Sequence, residues 1–220
     1  PKRFPPLFLV FDAQAARRVL SDREFFDVEL YDAKMRKAIG RFFLGLDYDD
    51  PEYKAQLALW HDIARGAHAA RVESEAIAAA RATPMGDGGV DVVDWTGRTL
   101  DAFTDSYFGI PPIPSRNGHG GSALLDLFRR TSSFVFNIDL ASGHLADDAA
   151  AAGREIQAHL LSVIAAKRAG KASHPGCVID DIMAGPGKTI TDEQLAAVLA
   201  GVLSGMYVPT SSQFIGAVDY

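Results

Sequence analysis

The stretch "TDEQLAAVLAGVLSGMYVPTSSQF", Thr191 to Phe214, constrains the fold of this 220-residue chain more than any other. Thr191 and Gln194 have the spacing of a capping box, in which each side chain accepts a hydrogen bond from the other residue's backbone amide and so starts a helix. No charged side chain follows from Leu195 to Val218. A helix with no polar face has to be buried, so the rest of the chain is expected to wrap around it. Two residues interrupt this helix, Gly205 and Pro209. A helical proline lacks the amide that would bond to the carbonyl four residues back, here that of Gly205, and its ring crowds that same carbonyl. The cost is about 3 kcal/mol relative to alanine. A cost of that size is easier to understand at a functional opening than on a featureless core helix, although a tolerated kink remains the alternative.

Helical signals dominate elsewhere, which gives the expectation of a mostly α fold with a small β contribution. "PLFLVFD" is a short strand candidate, after which Asp12 suits the N-cap of "AQAARRVLSD". Asp50 and Pro51 open a second helix at "DPEYKAQLALWHDIAR", where the missing amide of proline is not needed. A third helix begins near Val93 and stops at Gly109. It is followed by the connection "IPPIPSRNGHGG" and then by the helices "SALLDLFRRTSSFVF" and "DDAAAAGREIQAHLLSVIAAKRAG", the latter capped by Gly170. No internal repeat divides the chain, and residues 1–220 read as one domain. The final helix runs through "SSQFIGAVDY" with no Gly or Asn cap, so the sequence reads as cut inside an element.

Composition excludes several classes. The net charge of -6, with Lys and Arg scattered along the chain, provides no basic footprint, so no nucleic-acid partner is expected. One cysteine, Cys177, allows no internal disulfide and no zinc cluster, and it fits a cytoplasmic setting. No apolar run is expected to reach the roughly 18 residues of a membrane span. "MAGPGKT" imitates the end of a phosphate loop, but Ile182 stands where the first glycine is needed and no strand precedes it, so a turn is expected. The six histidines show no metal-binding pair on one helix face, and no "GxSxG" elbow supports a hydrolase. The doublets Asp147, Asp148 and Asp180, Asp181 are expected to favour helix starts.

The order of these segments resembles a known family. "VFDAQAARRVLSDREFF", "LGLDYDDPEYKAQLALW", "DAFTDSYFGIP", "VIAAKRAG", "CVIDDIMAG" and "TDEQLAAVLAGVLSG" succeed one another as in the N-terminal half of bacterial cytochromes P450, the haem-thiolate oxygenases. The resemblance covers nearly the whole chain. It implies that Cys177 lies between two surface helices and is not the iron ligand. The ligand cysteine would then lie outside this chain, which is expected to hold no metal-ligating residue of its own. A His and an Arg that contact haem propionates in ordinary members are replaced here by Tyr53 and Leu57, leaving the Tyr53 hydroxyl.

The resemblance also implies that the apolar C-terminal helix crosses over haem. Its groove glycine matches Gly205, but the acid that follows in the family is absent, and Tyr207, Val208 and Pro209 stand there. Cofactor contacts are therefore expected from Gly205, Pro209 and Tyr53, a substrate wall from Tyr207 and Val208, and a catalytic hydroxyl from Thr210. Val208 also replaces the arginine of peroxide-using fatty-acid members, so a substrate carboxylate has no partner there. The expectation is a haem-containing, iron-dependent oxidoreductase acting on a small apolar substrate. It would be a monooxygenase served by an electron-transfer partner, or a peroxygenase-like enzyme using peroxide or a hydroperoxide. A haem-free binding or interaction protein of the same fold is the rival, and a plain helical assembly module is a third reading.

Overall fold

A computed structural model of the chain describes residues 10–22, 29–65, 69–85, 89–114, 121–136, 143–171 and 175–218. Nine α-helices account for most of these residues, and no strand occurs among them. The fold is mostly α. Of the strand candidate, residues 6–9 lie outside the described residues, and Val10 to Asp12 is irregular.

Several helix ends follow from their capping chemistry. Helix α1, Ala13–Ser21, starts at Asp12, whose carboxylate accepts from the Ala15 amide at 2.7 Å. Helix α2 is Glu29–Ala38, and α3 is Pro51–Arg65 with Asp50 accepting from the Glu52 amide at 2.8 Å. Helices α4, Val72–Ala82, and α5, Val92–Phe103, pack on each other. The end of α5 widens into a π-helical turn, Thr104–Phe108, which Gly109 closes at φ 77°. Helix α6, Ala123–Val135, starts at Ser122, and α7, Gly143–Arg168, ends ahead of Gly170 at φ 67°. After α8, Val178–Ala184, comes α9, Asp192–Val218, where Thr191 Oγ1 accepts from the Gln194 amide at 3.2 Å and Gln194 Oε1 from the Thr191 amide at 2.9 Å.

As expected from its lack of charge, α9 is the centre of the core. It packs against α5, α6 and α7, and Leu195, Leu199, Leu203 and Tyr207 are fully buried. By length and mean hydropathy, residues 192–217 could also cross a bilayer, which corrects the expectation that no segment reaches that length. Within the fold 61% of the most apolar 18-residue window of that stretch is buried, as befits a core helix.

Other expectations needed adjustment. Helix α7 begins at Gly143, a turn before Asp147 and Asp148, so neither caps it. Instead Asp148 binds Arg130 of α6 and Asp147 lies 3.8 Å from Lys37 of α2. The "MAGPGKT" segment is the end of α8 followed by a 3-10 turn at Pro186–Thr189.

Two helical glycines set close spacings in the core, one against backbone and one against an aromatic ring. At Gly153 of α7 a Cβ would overlap the Ala38 carbonyl at the end of α2. Gly201 of α9 has no room for a Cβ either, because the ring of Phe42 lies on it.

Candidate functional site

Phe42 and a 3-10 turn, Phe43–Gly45, connect α2 to α3 and lie against one face of α9. Across that face, the π-helical turn at the end of α5 presents Tyr107 and Phe108 next to Phe103. A pocket of about 640 Å³ opens between these two groups. Its walls are Phe42, Phe43 and Trp60 on one side and Phe103, Tyr107 and Phe108 on the other. Its floor is a stripe of α9 made by Gly201, Val202, Gly205 and Met206, and Leu44, Ala69 and Val72 complete the lining.

Each wall is held by contacts of its own. Phe42 and Phe43 meet edge to face at 4.5 Å between ring centroids, and Phe43 lies 6.3 Å from Trp60. Phe103 stacks on Tyr107 at 5.0 Å with 15° between the planes, and Phe108 meets Tyr107 edge-on at 4.9 Å. Burial pushes the Tyr107 phenol up, with the charge of Arg71 opposing it. Walls that are apolar, aromatic and preorganised suit an apolar ligand, and the volume is in the usual range for small-molecule sites.

Gly205 is the only one of the expected site residues that lines this pocket. It is exposed, and a Cβ built on it meets nothing within 4 Å, so packing does not require a glycine there. Pro209 lies one turn further along α9, which continues as helix to Val218. Pro209 and Thr210 are both exposed, while Val208 packs partly against the core. Tyr53 stands on α3 outside the lining, with its ring 6.2 Å from that of Phe43 and 5.5 Å from that of Tyr48.

Tyr207 faces the other way. Fully buried, it donates to Asp101 Oδ1 at 2.8 Å and packs 5.3 Å from Phe128. Ser122 Oγ donates to the same carboxylate oxygen at 2.8 Å and accepts from the Leu125 amide at 3.0 Å, so one carboxylate links α9, α5 and the start of α6. Burial raises the Asp101 carboxyl to about 6, and the two hydrogen bonds restrain that shift. The same burial, together with the Asp101 charge, raises the Tyr207 phenol.

A haem fits this site in one respect and not in another. The aromatic walls and the floor of α9 suit the faces of a porphyrin, but among the described residues no His or Cys lines the pocket. Cys177 is buried elsewhere, with Lys167 Nζ at 2.9 Å and Asp180 Oδ2 at 3.4 Å from its sulfur. Burial lowers the Lys167 ammonium, but its hydrogen bonds to Cys177 and Asp180 outweigh this and leave it raised. Among the described residues, no group of three or more His, Cys, Asp or Glu could hold a metal ion, and His68, His119 and His174 lie outside them.

The sequence reading missed Gly201 and both aromatic walls. Helical phase carries part of the signal. Positions 201, 202, 205 and 206 share one stripe of α9, whereas 200, 203, 207 and 211 form the stripe that is fully buried. No family model, curated protein or solved structure matches the chain.

Proposed function

We propose that this chain carries the ligand-enclosing part of a haem-thiolate oxidoreductase of the cytochrome P450 type, acting on a small apolar organic substrate. One observation carries the reading. Gly205, the residue that the resemblance places in the groove over haem, borders an aromatic-walled pocket of about 640 Å³.

When bound, haem would supply the oxidising chemistry. The residues of this chain bind and exclude water. Phe42, Trp60, Phe103 and Phe108 offer ring faces and edges to an apolar ligand. Gly201 lets Phe42 lie against α9, which sets the depth of the floor. Thr210 is exposed and outside the lining, so the reading rests on the pocket and not on that hydroxyl. With Tyr207, Val208 and Pro209 following Gly205, no carboxylic acid stands on the next turn of α9. That favours a peroxide or hydroperoxide as oxidant over dioxygen with an electron-transfer partner, because cleavage of dioxygen needs a proton donor at the site.

A haem-free binding protein is the second reading, favoured by the absence of His and Cys from the described residues of the lining. The carbon monoxide difference spectrum of the reduced, haem-supplied full-length protein, which would include the ligand cysteine that the resemblance places outside this chain, separates the two. The oxidoreductase reading expects the long-wavelength Soret band of a thiolate-ligated haem. No such band, together with saturable binding of an apolar ligand by the haem-free protein, would establish the second.

A further inference from the structure

We infer that the pocket selects flat aromatic molecules carrying one hydrogen-bond donor, a phenol or a ring N–H, over flexible aliphatic chains of similar size. This deepens the reading above and rests on the same pocket being the ligand site.

The selection for flat rings follows from the walls. Two separate groups of rings, Phe42, Phe43 and Trp60 on one side and Phe103, Tyr107 and Phe108 on the other, border one space. Offset and edge-to-face ring pairs contribute attraction beyond the area they bury. An aliphatic chain gains no such contact, and it loses torsional freedom on immobilisation that a fused ring system does not have. The floor admits a flat body at Gly205, which places no side chain on it and has open space where a Cβ would stand, whereas Gly201 is covered by the ring of Phe42.

The preference for a donor follows from Pro209. A carbonyl inside an α-helix accepts from the amide four residues on, but position 209 has no N–H to give. The carbonyl left without that amide belongs to Gly205, which borders the pocket and is exposed. Among the described lining residues only Tyr107 and Trp60 bring a side-chain oxygen or nitrogen, so a carbonyl freed at Gly205 adds an acceptor at the edge of an otherwise apolar pocket. Desolvating that carbonyl under an apolar ligand is unfavourable unless the ligand returns a donor.

The test compares 2-naphthol, 2-methylnaphthalene and decan-1-ol by equilibrium dialysis and by quenching of Trp60 emission, with Trp60→Phe as the optical control. The expected result is saturable binding of 2-naphthol, about fivefold tighter than 2-methylnaphthalene, as one neutral hydrogen bond allows. Decan-1-ol should be the weakest. Pro209→Ala returns an amide to the Gly205 carbonyl, so it should erase the advantage of 2-naphthol and leave 2-methylnaphthalene affinity unchanged. Equal or tighter binding of decan-1-ol, no saturable binding of either aromatic, or an advantage that survives in Pro209→Ala would each overturn the inference. A missing thiolate-haem spectrum with this binding pattern intact defeats the oxidoreductase reading alone. A haem spectrum without the pattern defeats this inference alone.

Discussion

Phe42 lies directly on Gly201, so closely that a Cβ at position 201 would overlap three atoms of its ring. The ring is 3% exposed and its edge meets Phe43, so a methyl at position 201 would have to push it from its seat towards the pocket. Four residues along the same helix, Gly205 has open space in the direction of a Cβ. Two glycines one turn apart on α9 therefore serve different purposes, the first for close packing and the second for room at the pocket.

The pair makes a sharp prediction about stability. Alanine is preferred over glycine in a helix interior by about 1 kcal/mol. Gly205→Ala should realise most of that gain, because nothing opposes the added methyl. Gly201→Ala should lose it and more, since overpacking a tight contact typically costs about 1–3 kcal/mol. Urea unfolding of the two variants against the parent chain checks both signs. Equal effects at 201 and 205 would mean that Phe42 is not seated on α9.

Asp101 gives a pH dependence. Its carboxyl has an ordinary value of 3.8 and is held at about 6 in the fold. Between those values the folded chain binds more protons than the unfolded one, so this group's contribution to stability falls as pH rises from about 4 to about 6. The loss is complete above about pH 7 and amounts to about 3 kcal/mol at most. Asp148 and Asp180 are shifted downward, so the stability they contribute is lost only as pH falls below about 4. Asp101→Asn keeps an acceptor for Tyr207 and Ser122 and removes the titration. From pH 4.5 to 7.5 the parent's urea midpoint should fall relative to that of Asp101→Asn, a difference that removes the opposite slope of His159, whose imidazole is held below its ordinary value by burial. A parallel slope in the variant would assign the effect to another group.

What was legible beforehand follows from how local each signal is. The starts at Asp12, Asp50 and Thr191 were readable because a cap and its amides lie within three residues of each other. Helices α2 and α4 were not foreseen, and of α8 only the start was, from Asp180 and Asp181 in its first turn. In α2, buried Met35 and Ala38 alternate with Asp32, Arg36 and Lys37, and even Lys34 is buried, so the apolar stripe is broken in the sequence. The role of Gly201 was invisible because Phe42 comes from the opposite end of the chain. Tyr207 was misplaced for a different reason. A wall of the opening was sought in consecutive residues, and a helix turns about 100° at each step, so residues two apart face nearly opposite ways. Gly205 borders the pocket while Tyr207 binds Asp101.

Cys177 offers a test of where any iron ligand comes from. Its sulfur lies against Lys167 and Asp180, and a Cβ on Gly109 would overlap it. The site is filled by protein and is separate from the pocket lining. In full-length, haem-supplied protein Cys177→Ser is therefore expected to leave the thiolate-haem spectrum unchanged, with the serine hydroxyl taking over the contacts to Lys167 and Asp180. Loss of the thiolate signature, with circular dichroism unaltered, would make Cys177 the ligand and contradict its placement beside Lys167.

Pro209 is where stability and function are expected to oppose each other. It sits exposed in a helix that continues nine residues beyond it to Val218, so the fold tolerates the proline without ending the helix. Pro209→Ala restores one amide and removes the ring from the Gly205 carbonyl. Stability should rise, up to the roughly 3 kcal/mol interior proline penalty, less whatever the surrounding helix has already relaxed. The same change satisfies the Gly205 carbonyl from within the helix, so ligand entry or turnover that depends on the open groove should fall. Thermal unfolding and stopped-flow binding of 2-naphthol, whose O–H needs that carbonyl free, measure the two effects on one variant. A variant that is less stable than the parent and binds ligand at an unchanged rate would make the proline a packing feature and move the functional opening away from this turn of α9.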